Sequence, residues 1–316
     1  MNNSLPKHSV LIITYNQENL IARALDSLLC QKEFLFEIVV CDDCSTDNNW
    51  EVIMEYQRQY PDLIRPYRNS KNLGIFGNLE NSWTLPKGEI IWYLSGDDEY
   101  CNGVFEKANE LIKTNDISYK IDSFTLYFDF MFVKPSGEFS VYRNNLILKH
   151  NALSLKIRDL IYNRTIGFSK SVLEKFTHID KEIGIYTDGL IDIQVQLFSE
   201  SNYYYPFVGS KYYVSIGISS VTKKSDSLIS YIKLMSQYRE TLRCLSNNDR
   251  KWLNFSETKA KYLLQPSLTN YFLYLKYFIY SRDIEFGGKR LSKELKHLLF
   301  YLFKLRFNAQ TFFKNN

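Results

Sequence analysis

The sequence predicts an α/β chain built on a doubly wound, mostly parallel sheet with a helical region appended after it. Three observations predict it. Apolar β-branched runs alternate with helix-periodic segments through residues 9–94, each run ends in a polar loop, and after Asp226 the pattern turns helical. Ser9 to Ile13 (SVLII) is a short apolar run that stops at Thr14-Tyr15-Asn16, as a buried parallel strand emptying into a loop does. Ile21, Ala24, Leu25, Leu28 and Leu29 fall at i, i+3, i+4, i+7 and i+8, one face of a helix. A second strand is expected at 36–40, then the loop Cys41 to Asp47 and a helix over about 48–60. A third strand is expected near 63–67. The loop Arg68 to Leu73 leads into a helix through Trp83, and Glu89 to Leu94 (EIIWYL) is a fourth strand ending at Ser95-Gly96-Asp97-Asp98-Glu99. A β-rich stretch follows, Phe124 to Val133 and Phe139 to Tyr142, joined by the turn Lys134-Pro135-Ser136-Gly137.

Composition bounds the rest. With 316 residues the chain suits one large domain or a domain with an appendage. Lys and Arg number 39 against 35 Asp and Glu, and 45% of residues are hydrophobic, which excludes disorder, collagen and a disulfide-built miniprotein. The 24 Tyr, 22 Phe and 4 Trp imply wide apolar contact surfaces. Residues 1–8 carry no apolar core of a secretory signal, so a cytoplasmic location is expected. No apolar run reaches the roughly 18 residues needed to span a bilayer; the nearest, Tyr271 to Tyr280, contains Lys276. The five cysteines are expected to be free thiols, and the C-x-x-C of Cys41 and Cys44 has neither a second pair nor a His cluster to make a zinc site.

In sheets of this kind ligands bind beyond the carboxyl ends of the strands. Asp42 and Asp43 follow the second strand and Asp97 and Asp98 the fourth, so two acidic pairs are expected to converge on one sheet edge. Helix capping would explain one such pair. Converging carboxylates repel unless a cation sits between them, and hard oxygen ligands suit Mg²⁺ or Mn²⁺. Such an ion completes its shell with phosphate oxygens and water, which points to a nucleoside diphosphate. A dinucleotide is disfavoured, because T-Y-N-Q rather than G-x-G-x-x-G follows the first strand.

Taken in order, S-V-L-I-I-T-Y-N from Ser9, V-V-C-D-D-C-S-T-D from Val39, N-L-G-I-F-G-N from Asn72 and W-Y-L-S-G-D-D-E from Trp92 resemble a family-2 glycosyltransferase with the GT-A fold. The resemblance is close over residues 8–105 and looser over 164–222. It implies that Thr14 and Tyr15 border the nucleobase, with Tyr15 supplying a ring face, and that Asn16 is a donor-binding residue. Asp43 would accept from the base imide, with Asp42 supporting it. Asn72 and Gly74 match the segment that closes beside the donor, with Lys71 or Arg68 as diphosphate partners, although Lys71 reads equally well as a solvated loop charge. Asp97 and Asp98 match the D-x-D region, one toward ribose or sugar and the other toward the metal. Where the family often has D-A-D-D, this chain has Ser95 in place of the first carboxylate.

Ile166 to Glu174 resembles the strand and helix that frame the acceptor, and the acidic general base of the family falls at Asp188, with Asp192 in reserve. Asp188 also reads as an N-cap. Y-Y-V-S-I-G-I-S from Tyr212 resembles Y-Y-R-I-H-G-N-S, so the family's histidine is Ile216 here. None of His8, His150, His178 and His297 replaces it; each is expected at the surface or in a loop. The resemblance, absent after about 225, implies a donor-binding half at 1–115 and an acceptor-binding half at 116–224, and the sequence pattern itself marks a helical, basic region at 225–316. Residues 289–316 hold seven basic residues and one acid, a local +6. That tail could lie on an anionic membrane surface or pack on the protein, and nucleic acid is disfavoured as a partner. The implied activity is metal-dependent transfer, with inversion, from a UDP-linked donor to a hydroxyl of a glycan or lipid-linked glycan in bacterial-type surface polysaccharide synthesis. A non-catalytic nucleotide-binding adaptor of a membrane assembly is the alternative, and a nucleotidyltransferase a second.

Overall fold

The computed structural model describes residues 5–145, 164–176, 187–214, 226, 229–234, 236 and 247–280, side chains at 187–190, 193 and 248 excepted. The chain divides into two compact units, 1–223 and 224–316.

The first unit runs β1 (His8–Thr14), α1 (Ile21–Leu29), β2 (Leu35–Asp42), α2 (Asn49–Gln59), β3 (Ile64–Arg68), α3 (Gly74–Ser82), β4 (Ile90–Ser95), β5 (Glu99–Tyr100), α4 (Val104–Thr114), β6 (Phe124–Val133), β7 (Phe139–Tyr142), β8 (Ile166–Ser169), α5 (Lys170–Leu173), α6 (Thr187–Phe198) and β9 (Ser201–Tyr213). One sheet orders them β3-β2-β1-β4-β8-β6-β9-β5, with β7 on the side of β6. The expected α/β architecture is present. Strands β3-β2-β1-β4 pair in parallel, as do β6 and β9, whereas β8 runs antiparallel to both β4 and β6. In the second unit α7 (Asn247–Leu264) and α8 (Leu268–Tyr280) are helical, as the sequence predicts.

Local physics accounts for the elements. The stripe Ile21, Ala24, Leu25 and Leu28 of α1 is fully buried with Val10, Ile12, Ile38 and Val40 of the strands, and each large side chain contributes about 1.5–3 kcal/mol. α4 and β9 were not among the expected elements. α4 carries its own signal, Val104, Phe105, Ala108, Leu111 and Ile112 on one buried face. β9 does not: it alternates weakly, because ten of its positions pair with β6 and only two with β5 at its far edge. At the centre, Trp92 is ringed by His8, Tyr100, Phe105 and Phe128 at centroid distances of 5.2–5.8 Å. Gly167 pairs with Trp92 across β8 and β4, and a Cβ there would sit 2.6 Å from the indole.

The histidine expectation needs correction at His8. The residue opens β1 and is fully buried rather than at the surface. Its ring is satisfied only when neutral. The Trp92 indole N–H donates to Nδ1 (3.0 Å), which therefore carries no proton, leaving the Nε2 proton for Asn109 Oδ1 at 2.9 Å. Burial lowers the His8 pKa to about 4, against a smaller upward pull from the Asn109 bond. The unfolded chain therefore takes up this proton below about pH 6.5 while the folded chain refuses it down to about 4. Stability should fall as pH drops through that window, by about 3 kcal/mol at its lower end. Urea midpoints at neutral and acidic pH test this: His8→Gln, whose amide can accept from Trp92 and donate to Asn109, should lose much of the pH dependence. An unchanged slope would assign acid lability to other groups. His150, His178 and His297 lie outside the described residues.

Candidate functional site

The sheet topology brings the acidic loops together around the end of β1. That strand lies between β2 and β4, with Thr14 beside Asp42 and Ile13 beside Ser95. The Asp43 N–H donates to Thr14 O (3.0 Å) and the Gly96 N–H to Ile13 O (3.1 Å), so both loops are tied to consecutive residues of one strand end. A Cβ on Gly96 would lie 2.8 Å from Thr14 Oγ1, so the loop after β4 approaches this closely only because residue 96 has no side chain.

Asp42 is spent on architecture. Fully buried, it accepts from the Ser45 N–H (2.9 Å) and Asn49 Nδ2 (2.8 Å) and pairs with Arg68 Nε at 3.3 Å. Arg68, expected as a diphosphate partner, also donates to Ser45 O (2.8 Å) and is engaged in holding this loop. Asp43 is 2% exposed, and its Oδ1 accepts from the Leu73 N–H (2.9 Å) and Asn69 Nδ2 (2.8 Å). It thereby fastens the segment carrying Lys71, Asn72 and Gly74 to the end of β2. Asn72 Oδ1 accepts from the Gly74 N–H (2.8 Å), and Gly74 has φ +73°, while Lys71 is exposed. Tyr15 and Asn16 are exposed. The Asn16 N–H donates to Ser45 Oγ (2.9 Å) and its Oδ1 accepts from the Thr46 N–H (2.8 Å). Thr14 donates to Gln17 Oε1 at 2.7 Å.

Across β1, Ser95 donates its hydroxyl to Asp97 Oδ1, so the residue that departs from D-A-D-D orients the next carboxylate. Asp98 is 9% exposed, and its Oδ1 accepts from the Tyr213 N–H at 3.0 Å. Burial, and then the charge of Asp97, push its pKa up to about 7, opposed by the Tyr213 N–H and by Arg164 and Arg23. Four residues to which the sequence reading gave no role, Arg23, Glu99, Lys211 and Tyr213, complete the loop. Arg23 donates to Asp97 O (2.5 Å), pairs with Glu99 Oε1 (3.3 Å) and stacks on the Tyr213 ring at 3.7 Å. Glu99 also takes Lys211 Nζ (3.0 Å) and the Tyr213 hydroxyl. Only long-range pairing brings these residues together, and nothing local marks them.

The donor chemistry fits a divalent cation of the hard, oxygen-seeking kind. Among the described residues no group of three or more His, Cys, Asp and Glu side chains could hold a metal alone. Asp97 and Asp98 supply a two-carboxylate set whose mutual repulsion a cation would relieve, with phosphate and water filling the remaining positions.

The expected base region is helical from residue 187, and the side chain of Asp188 lies outside the described residues. Asp192, one turn on, is buried at 6% exposure and raises the pKa of the fully buried Tyr127 of β6 by its charge, after burial itself. Ile216 lies outside the described residues. Cys30, Cys41, Cys44 and Cys101 are free thiols, and burial raises Cys41 to about 12, well away from thiolate chemistry.

Comparison with known proteins places this arrangement. The sequence model described as Glycosyl transferase family 2 matches residues 9–177. Over 166 residues the chain is 31% identical to the GalNAc(5)-diNAcBac-PP-undecaprenol beta-1,3-glucosyltransferase of Campylobacter jejuni, covering 45% of this chain and 53% of that protein. It is 34% identical over 95 residues to the poly(ribitol-phosphate) beta-glucosyltransferase of Bacillus spizizenii, covering 29% and 15%. The chain thus spans about half the length or less of these curated relatives. Among solved structures, S. aureus TarS 1–349 in complex with UDP-GlcNAc superposes with a TM-score of 0.62 at 18% identity, covering 86% of this chain and 79% of that one. The mannosyltransferase PcManGT of Pyrobaculum calidifontis, in complex with GDP-Man and Mn²⁺, gives 0.56 at 15%, covering 98% and 84%. These likenesses show a shared GT-A fold. With the family match extending over more than half of its residues, the chain belongs to glycosyl transferase family 2.

Proposed function

We propose that the protein transfers a sugar, with inversion, from a nucleotide-sugar donor of the UDP-linked type to a hydroxyl of a glycan or lipid-linked glycan during surface polysaccharide synthesis. The observation that carries the reading is the pair of acidic loops tied to successive carbonyls at the end of β1. It is supported by family membership and by relatives whose names specify glucosyl transfer to an undecaprenol-linked glycan and to poly(ribitol-phosphate).

In this reading residues 1–115 bind the donor, 116–224 frame the acceptor and 225–316 form an appended helical region. Tyr15 offers the base an aromatic face, and Asp43 its remaining acceptor capacity, with Thr14 and Asn16 shaping the wall. The 71–74 segment, already bonded to Asp43, closes over the diphosphate. A Mn²⁺ or Mg²⁺ ion bound by Asp97 and Asp98 would neutralise charge on the departing diphosphate. Asp188 takes the acceptor proton as the hydroxyl attacks the anomeric carbon, and holding both substrates in one cleft removes much of the entropic barrier.

Incubation with UDP-sugars and GDP-mannose in the presence of Mn²⁺, without acceptor, tests the reading. Slow release of nucleoside diphosphate from one donor, abolished by EDTA, is the expected result. No release from any donor, together with retained nucleotide binding, would favour an adaptor; release of pyrophosphate would favour nucleotidyl transfer.

A further inference from the structure

Helix α8 reads LTNYFLYLKYFIY, and its single charged residue is Lys276. One stripe packs on α7: the rings of Tyr271, Tyr274 and Phe278 lie 5.6–6.0 Å from those of Phe255 and Tyr262. The opposite stripe is apolar too. Leu268 is 63% exposed, Phe272 61%, Ile279 52% and Tyr280 62%, and Phe272, Lys276, Ile279 and Tyr280 follow one another at i, i+4, i+7 and i+8. Scattered surface apolar residues need no explanation, but four large ones on one face form a patch of the sort that marks an interaction surface.

The surrounding charge identifies the occupant. Residues 247–280 carry five basic side chains against two acidic, and 289–316, which lie outside the described residues, carry seven against one. Two copies of this region facing each other would oppose like charges. An anionic lipid surface would complement them, taking Phe and Leu side chains into the headgroup boundary, Tyr at the interface and Lys beside phosphate. Among the described residues no helix is long and apolar enough to cross a membrane, so the geometry of α8 suits lying on a bilayer.

We propose that the outer face of α8 docks this chain on an anionic phospholipid bilayer. This does not depend on the catalytic reading.

Flotation of the full chain tests it, using vesicles of phosphatidylcholine alone and of phosphatidylcholine with about 30% phosphatidylglycerol. The protein should float with the anionic vesicles and stay behind with the neutral ones. Phe272→Glu with Ile279→Glu should cut the bound fraction about tenfold or more at unchanged melting temperature. Should that variant unfold, Lys276→Glu, which leaves the apolar area in place, should still weaken binding about fivefold or more. Absence of binding to the anionic vesicles overturns the proposal, as does unchanged binding by the folded variants. A dimer that the double substitution dissociates, with no vesicle binding by the parent, would give the face to a second copy.

Discussion

Asp98→Asn should lower sugar transfer about 10²–10³-fold while leaving the protein at least as stable at neutral pH, the mark of a residue kept for function. The buried carboxyl of Asp98 sits beside Asp97, and both burial and that neighbour oppose its ionisation. Its folded pKa of about 7 lies above the ordinary carboxylate value of 3.8. The stability lent by the protonated group is therefore complete below the lower value and lost as pH rises through the upper one. An amide at 98 keeps an oxygen to accept the Tyr213 N–H, now 3.0 Å from Oδ1, and carries no charge to desolvate. Loss of activity with an equal or higher melting temperature in EDTA would mean that the charge serves the donor and its cation. Calorimetry of nucleotide with Mn²⁺ supplies a readout independent of turnover: the variant should lose the metal-dependent part of its affinity. A variant that keeps the parental rate would make Asp98 an anchor for β9 and nothing more.

What the sequence disclosed and what it hid divide along chain separation. Strands β1 to β4 were legible because each is a short apolar run ended by its own polar loop, so local pattern fixes both existence and polarity. That the loops after β2 and β4 reach the same end of β1 followed from the βαβ alternation alone, since such units deliver successive strand ends to one edge. The groups that hold the acidic loop were not legible. Arg23 meets Asp97 across 74 positions and Tyr213 meets Glu99 across 114, and no local pattern encodes either. His8 misled for the same reason. A polar residue ahead of an apolar run resembles a loop end, and its burial is stabilised by Trp92 and Asn109, 84 and 101 positions later. Asp42 and Asp43 were read as one pair in support of one another, yet the strand turns them to different tasks. Asp42 closes its own loop through Ser45 and Asn49, and Asp43 reaches the Asn69–Leu73 segment.

The second large effect is expected in α6, where two aspartates one turn apart should behave differently. Asp188→Asn should lower kcat about 10²–10⁴-fold with little change in donor KM, the loss typical of a missing general base. Asp192→Asn should cost much less turnover. Position 192 is buried, close enough to the Tyr127 phenol to oppose its ionisation, and a base must reach an acceptor hydroxyl within hydrogen-bond distance. The pH profile separates a base from a structural acid. With Asp188 as base, kcat should rise with pH as the carboxylate forms and then level off, and that acidic limb should vanish in Asp188→Asn while surviving in Asp192→Asn. Donor hydrolysis without acceptor adds a further distinction, because water is a smaller nucleophile than a sugar hydroxyl and still needs its proton removed: the Asp188 variant should lose both reactions in proportion. If Asp192→Asn proves the more damaging and abolishes the limb, the base lies one turn deeper, and α6 must move to present it to the acceptor.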